Sequence, residues 1–190
     1  MGTEQIDIPA LPVLLPLGAV LMVVSWLAFR GQGAVKTGVA WFGSWYLVAV
    51  VGATMLPMHL AWGPGAGEPE FYRIILFPPI TTMRPLDFLL NTVMTLPVAA
   101  LLHVLCGVRE LRRVTRYAFL GSLLIESAQG LLVLTLHGQR WADVNDLISN
   151  TSGAVLGYLI LQRVMRWEPV RDAVERATAG RGGRTPDPVL

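Results

Sequence analysis

Five apolar runs alternate along the chain with short stretches in which Gly, Pro and charged residues collect. The first, residues 11–29, carries no charge. At 1.5 Å rise per residue a helix of that length reaches roughly 30 Å, the thickness of a bilayer's hydrocarbon core. Residues 39–58, 88–107, 117–137 and 147–162 give four more such runs. Trp41, Trp45 and Tyr46, near the start of the second, suit the aromatic belt of a membrane interface. Pro57 falls near that run's far end, where one lost backbone hydrogen bond is tolerable. Glu4 and Asp7 precede the first run and no Lys or Arg does, so the basic segment of a signal peptide is missing and the run reads as a retained span.

The connection between the second and third runs is rich in Pro and Gly and contains ILFPPI, a patch too short to span and too hydrophobic for a free loop. Such a patch lies at the interface or re-enters the protein, where covered irregular backbone is tolerated. From residue 163 the chain is Arg-rich with Gly and Pro, which predicts a short amphipathic continuation and then a disordered tail. The pattern predicts an all-α polytopic bundle: residues 1–10 outside, a five-span membrane domain over 11–163, and a cytoplasmic tail over 164–190.

Composition sharpens this picture. Of the 190 residues 53% are hydrophobic and 15% charged, where a soluble domain carries about a quarter charged. The single cysteine, Cys106, permits no intramolecular disulfide and reads as a small core residue. A net charge of +2 does not point to nucleic acid, because the cations cluster beside apolar spans and there fix orientation. With the amino terminus outside, the inner segments hold Arg30, Lys36, Arg109, Arg112, Arg113, Arg116, Arg163, Arg166, Arg171, Arg176, Arg181 and Arg184, leaving Arg73, Arg84 and Arg140 outside. That bias predicts amino terminus out and carboxyl terminus in.

Chemistry concentrates between residues 124 and 157. Glu126 and Gln129, three apart in the fourth run, share a helix face. An ionised carboxylate at mid-span costs about 2.5–3.5 kcal/mol, so Glu126 needs a partner, a proton or a water-filled cavity. It is either a proton-labile or ligand-binding group, or a protonated residue holding two helices in register. Arg140, Asp143, Asp146 and Asn150 follow at spacings of three, three and four, a second polar stripe if helical. The plainer alternative is an interfacial helix start, with Asp143 paired to Arg140 and carboxylates favoured by the helix amino terminus. Gly153 and Gly157 form GxxxG, which signifies helix packing. If the approaching helix is the fourth, Glu126, Gln129, Asp146 and Asn150 converge. Their oxygens then accept from sugar hydroxyls or ligate a hard divalent cation, and Arg140 donates to a phosphate. His and Cys are missing there, no cofactor is identified, and a cation remains the minor alternative. Asn91 in the third run is a secondary candidate, read first as a packing contact, and His103 reads as a satisfied helix residue.

LLIESAQ followed by RWADVNDLISNTSGAVLGY resembles the VanZ-like family of bacterial membrane proteins, marked by Glu and Gln in one span and an acidic stretch running into NTxGAxxGY. The matching positions are Glu126, Gln129, Asp143, Asp146, Asn150, Thr151, Gly153, Ala154, Gly157 and Tyr158, and Asn91 with Pro97 matches the family's third span. ILFPPI stands where an Asn-rich NLIPF-like loop is common, and TVMTLPVAA where Phe and Pro-Leu-Gly are usual. The resemblance implies a multi-pass protein of the bacterial cytoplasmic membrane, in a family whose named member is associated with resistance to the glycopeptide teicoplanin. It implies no established reaction.

Two functions fit. The first is binding of an amphipathic outer-leaflet or cell-envelope ligand, such as a lipid-linked cell-wall precursor, through the intramembrane polar site. The second is an enzyme acting on a lipid-linked substrate with Glu126 or Asp146 as general base. A structural bundle is a third reading, and the sequence leaves oligomeric state open. No nucleophile beside a base, zinc motif or phosphate loop is present, which favours binding. The topology is testable with single cysteines: Gly67→Cys is expected to label only from outside intact cells and Gly182→Cys only from inside, and the reverse pattern would invert the orientation.

Overall fold

A computed structural model gives the structure of the protein over residues 2–76 and 83–179. Residues 77–80 of the apolar loop patch, and the tail from residue 180, lie outside the described residues. Strand β1 (Glu4–Ile8) leads into α1 (Ala10–Phe29) and α2 (Ala34–Met55), which pack as an antiparallel hairpin. Gly33 between them takes φ 103°, a conformation open to glycine, and the Thr37 hydroxyl donates to the Phe29 and Gly33 carbonyls across the turn. Small residues let the pair approach: Gly18 faces the Trp45 ring and Ser44 Oγ donates to Ala40 and, at 3.3 Å, to Leu21.

After α2 come β2 (Met58–Trp62), a 3-10 turn at Phe71–Arg73 and β3 (Ile74–Ile75). β2 pairs antiparallel with β1, from Glu4 opposite Trp62 to Ile8 opposite Met58. The hydropathy pattern predicts no strand here, because pairing partners fifty or more residues apart leave no local hairpin signal. The third run is one span bent in two, α3 (Pro85–Thr95) and α4 (Pro97–Cys106). Pro97 lacks an N–H and crowds the preceding turn, which bends the helix at Leu96 while its backbone stays right-handed. The Met94 carbonyl in that turn accepts from the Tyr46 hydroxyl of α2 at 2.9 Å. Gly107 at φ 68° closes α4, with the Val108 N–H donating to Leu102.

Helix α5 (Leu111–Leu136) ends on His137 at φ 50°, whose ring nitrogens lie 3.1 Å from the Ala61 and Gly67 carbonyls. β4 (Ala142–Asp143), parallel to β3, leads directly into α6 (Val144–Val164), and α7 (Glu168–Ala179) follows. Four helical stretches are long and apolar enough to cross a membrane: Ala10–Phe29, Ala34–Met55, Pro85–Cys106 and Leu111–Leu136. The fifth predicted span is α6, at 21 residues within the length range of these but more polar in its first half. Apolar side chains face outward along the spans, with Leu124 at 71% exposure, as a bundle whose solvent is lipid requires. Cys106, expected in the core, is exposed at the end of α4, and buried His103 leaves Nδ1 without a partner among the described residues.

The connections fall at two ends of the bundle. β1, β2, β3, β4 and His137 meet at one; α7 docks at the other, where Lys36 Nζ donates to Thr178 and the Tyr158 hydroxyl to the Arg109 carbonyl. A core of Ala99, Val108, Val114 and Ala154 lies toward this second end. Helix α6 runs through the centre, packed on α3, α4 and α5. Its GxxxG faces the bent third span rather than the fourth: a Cβ on Gly153 would overlap Thr95 Oγ1 and the Thr92 carbonyl, and one on Gly157 the Leu96 carbonyl. Gly153→Ala and Gly157→Ala are therefore expected to lower stability by about 1–3 kcal/mol each, as overpacking does. Gly121→Ala in α5, with open space around it, is expected to be neutral or mildly stabilising. Thermal unfolding in detergent compares the three; equal melting temperatures would refute the close approach.

Candidate functional site

The acidic stretch is organised by a strand that turns into a helix. Asp143 has extended backbone and caps α6, its Oδ1 accepting from the Asn145 N–H at 2.8 Å and from Asn145 Nδ2 at 2.9 Å. The expected stripe of Arg140, Asp143, Asp146 and Asn150 is corrected accordingly: Arg140 and Asp143 precede the helix, because an Asp oxygen satisfies the first-turn N–H groups better from the cap than from inside. The Asp143 backbone N–H, in turn, donates to Glu126 Oε2 at 2.8 Å. Glu126 thus holds the entrance of α6 against α5. Asp146, one turn on, accepts from Asn91 Nδ2 at 2.7 Å, which ties α6 to α3.

Two clefts meet at this junction. The first, about 400 Å³, is apolar: Ile74, Leu76, Leu123, Leu131, Leu134 and Leu147 line it, with Glu126 in its wall. The second, about 620 Å³, is polar: Arg84, Asp87, Asn91, Asp146 and Trp141 line it. Ile75 and Asp143, paired across β3 and β4, line both. Above them Arg73 acts as a clamp. Its guanidinium lies 5.3 Å from the Tyr72 ring centre and 5.5 Å from that of Trp141, pairs with Glu70 and donates to the Gln139 carbonyl at 3.0 Å. The hydrogen bond from Arg73 holds the Glu70 carboxyl below its usual pKa.

The remaining predicted residues stand elsewhere. Gln129 is buried and its Nε2 donates to the Thr54 carbonyl of α2 at 2.8 Å. Asn150 donates to Ser122 Oγ of α5 at 3.0 Å. Arg140 turns away from the carboxylates, donates to the Leu56 carbonyl and lines a separate cavity of about 230 Å³ beside His59. The structure therefore gathers Glu126, Asp143, Asp146 and Asn91 around one junction, and uses Gln129, Asn150 and Arg140 as ties between elements. Among the described residues no group of three or more His, Cys, Asp or Glu side chains could hold a metal ion.

Arg84, Asp87 and Trp141 were not singled out from the sequence. Arg84 and Asp87 flank Pro85 at the start of α3, where Asp reads as an ordinary first-turn residue. Trp141 was the available signal, a large aromatic inside an otherwise polar stretch. The Asn91–Asp146 contact makes its own prediction. A double-mutant cycle of Asn91→Ala and Asp146→Ala on thermal stability is expected to show coupling of about 0.6–1.7 kcal/mol, the range of polar contacts between spans. Strict additivity would mean the two do not interact.

No curated protein and no solved structure matches the chain. A family model described as VanZ/LLP1 does, over residues 42–166, nearly two thirds of the chain and a stretch running from α2 to the end of α6. The matched region contains both clefts, the bent third span and the glycines packed on it; the chain belongs to the VanZ/LLP1 family and has the helical bundle of a membrane protein.

Proposed function

We propose that the protein binds an amphipathic ligand of the outer leaflet of the bacterial cell membrane, its tail in the apolar cleft and its head group in the polar cavity. The observation that supports this is the shared wall: an apolar and a polar compartment meet at Ile75 and Asp143, as the two ends of such a ligand would require. Exposed Leu123, Leu131 and Leu134 open the apolar cleft to the lipid side of α5. The polar cavity lies at the end of the bundle that the charge bias predicts to be outside. In this reading Asp146, Asp87 and Asn91 meet hydroxyl or amine donors of the head group, and Arg84 an anionic substituent at the rim. Gln129, Asn150 and Arg140 hold the elements in place. A lipid-linked cell-wall precursor is the ligand class that suits both compartments, and teicoplanin susceptibility is the phenotype to measure.

If the polar groups only pack helices, Glu126→Gln and Asp146→Asn should be nearly silent, since each amide keeps shape and hydrogen bonding and removes a buried charge. If they bind, Asp146→Asn is expected to abolish resistance in a host expressing the protein, and Gly130→Phe, which fills the apolar cleft, to do the same. Membrane abundance, measured alongside, is expected to stay near wild type. Undiminished resistance from both variants at normal abundance would sink the reading. Absence of any effect of the wild-type protein would show that this phenotype is not its own.

A further inference from the structure

Four arginines crowd the start of α5, and Glu110 is the one acidic residue among them. Arg113 takes it, Nε to Oε2 at 3.2 Å. Arg112 and Arg116 pair with no carboxylate among the described residues. Residues 112, 115, 116 and 119 share one helix face, and with Leu111 they line an open depression of about 720 Å³. The Thr115 hydroxyl turns back to the Leu111 carbonyl at 2.9 Å, so the free donors on this face are the two guanidiniums. By itself the arrangement is unfavourable. Like charges four residues apart repel, and cations in a first turn oppose the helix dipole, here with no acidic residue in that turn.

An anion between the two guanidiniums removes both penalties. Side chains one turn apart start 5–6 Å from each other, close enough for two planar forks to hold one phosphate. Toward mid-membrane the exposed side of α5 continues through Phe119, Leu120, Leu123 and Leu124, a surface for an acyl chain. We infer that the face formed by Arg112, Arg116 and Phe119 binds an anionic phospholipid, its phosphate clasped by the two arginines and a chain laid along Phe119 and Leu123. This site lies at the opposite end of the bundle from the two clefts, and does not depend on their ligand. It also differs from an orientation signal. Orientation depends on how many cations flank a span; a phosphate site depends on which face they occupy.

The test compares two variants of equal charge. The full chain, purified in phosphatidylcholine micelles doped with phosphatidylglycerol, is titrated and its bound lipid counted by native mass spectrometry. R112Q/R116Q is expected to lose about tenfold or more in phosphatidylglycerol affinity. R109Q/R113Q, the same change in charge off the face, is expected to lose less than twofold. Equal losses from both pairs, or none from the first, would overturn the inference, as would equal wild-type binding of the two lipids with inorganic phosphate displacing the acidic one. R112K/R116K keeps the charge without the planar fork and is expected to fall between the wild type and the glutamine pair. It carries the test if the glutamine pair is not recovered folded, and full wild-type affinity in it would refute the clasp.

Discussion

The structure depends on how closely α6 approaches the bent third span. Lipid offers no hydrophobic drive between helices, so the bundle relies on van der Waals contact and on polar ties made at short range. Gly153 and Gly157 remove the side chains that would strike the Thr92 and Leu96 carbonyls. Pro97 supplies the matching bend. With the backbones in contact, Thr92 Oγ1 comes within 3.3 Å of the Ser149 carbonyl and Asn91 within 2.7 Å of Asp146. Each tie is worth little alone, about 0.6 kcal/mol on average between spans, but each exists only because the glycines allow it.

The same approach explains how a polar helix start is accommodated beside apolar spans. Asp143 satisfies the first turn of α6, and Glu126 accepts the N–H of Asp143 itself. Asn145 and Ser149 are fully buried, facing other helices rather than lipid. The polar residues of α6 are thereby spent on neighbours along one side, while Leu156, Leu159 and Ile160 are exposed toward its second half. The strand pair β3–β4 closes this corner and divides it into an apolar and a polar compartment. One carboxylate, Asp143, therefore caps a helix, anchors to Glu126 through its own backbone and faces both compartments.

The two ends of the bundle carry different chemistry. One end is built from short strands, aromatic rings and the Arg73 clamp, and holds the clefts. The other holds the basic turns, the docked α7 and an arginine face on α5. Such segregation is what a protein placed between two aqueous phases of different charge preference shows.

The sequence by itself determined the helical spans and their order. Apolar length marks spans because lipid cannot satisfy an open backbone, and this needs no knowledge of neighbours. GxxxG as packing and Glu126 as a group requiring a partner were legible for similarly local reasons. What only the tertiary structure decided was who meets whom. Spacing put Arg140 on a stripe with Asp143 and Asp146, yet Arg140 points to Leu56 because the helix begins after it. Glu126 and Gln129 share a face, but one meets Asp143 of β4 and the other Thr54 of α2, two elements far apart in sequence. Trp141 enters the polar cavity beside β4, whose pairing with β3 joins residues 68 apart, and Asp87 enters from the start of α3, which packs on α6. Periodicity reports the face a residue occupies; the partner on that face is set by packing, which a single chain position does not encode.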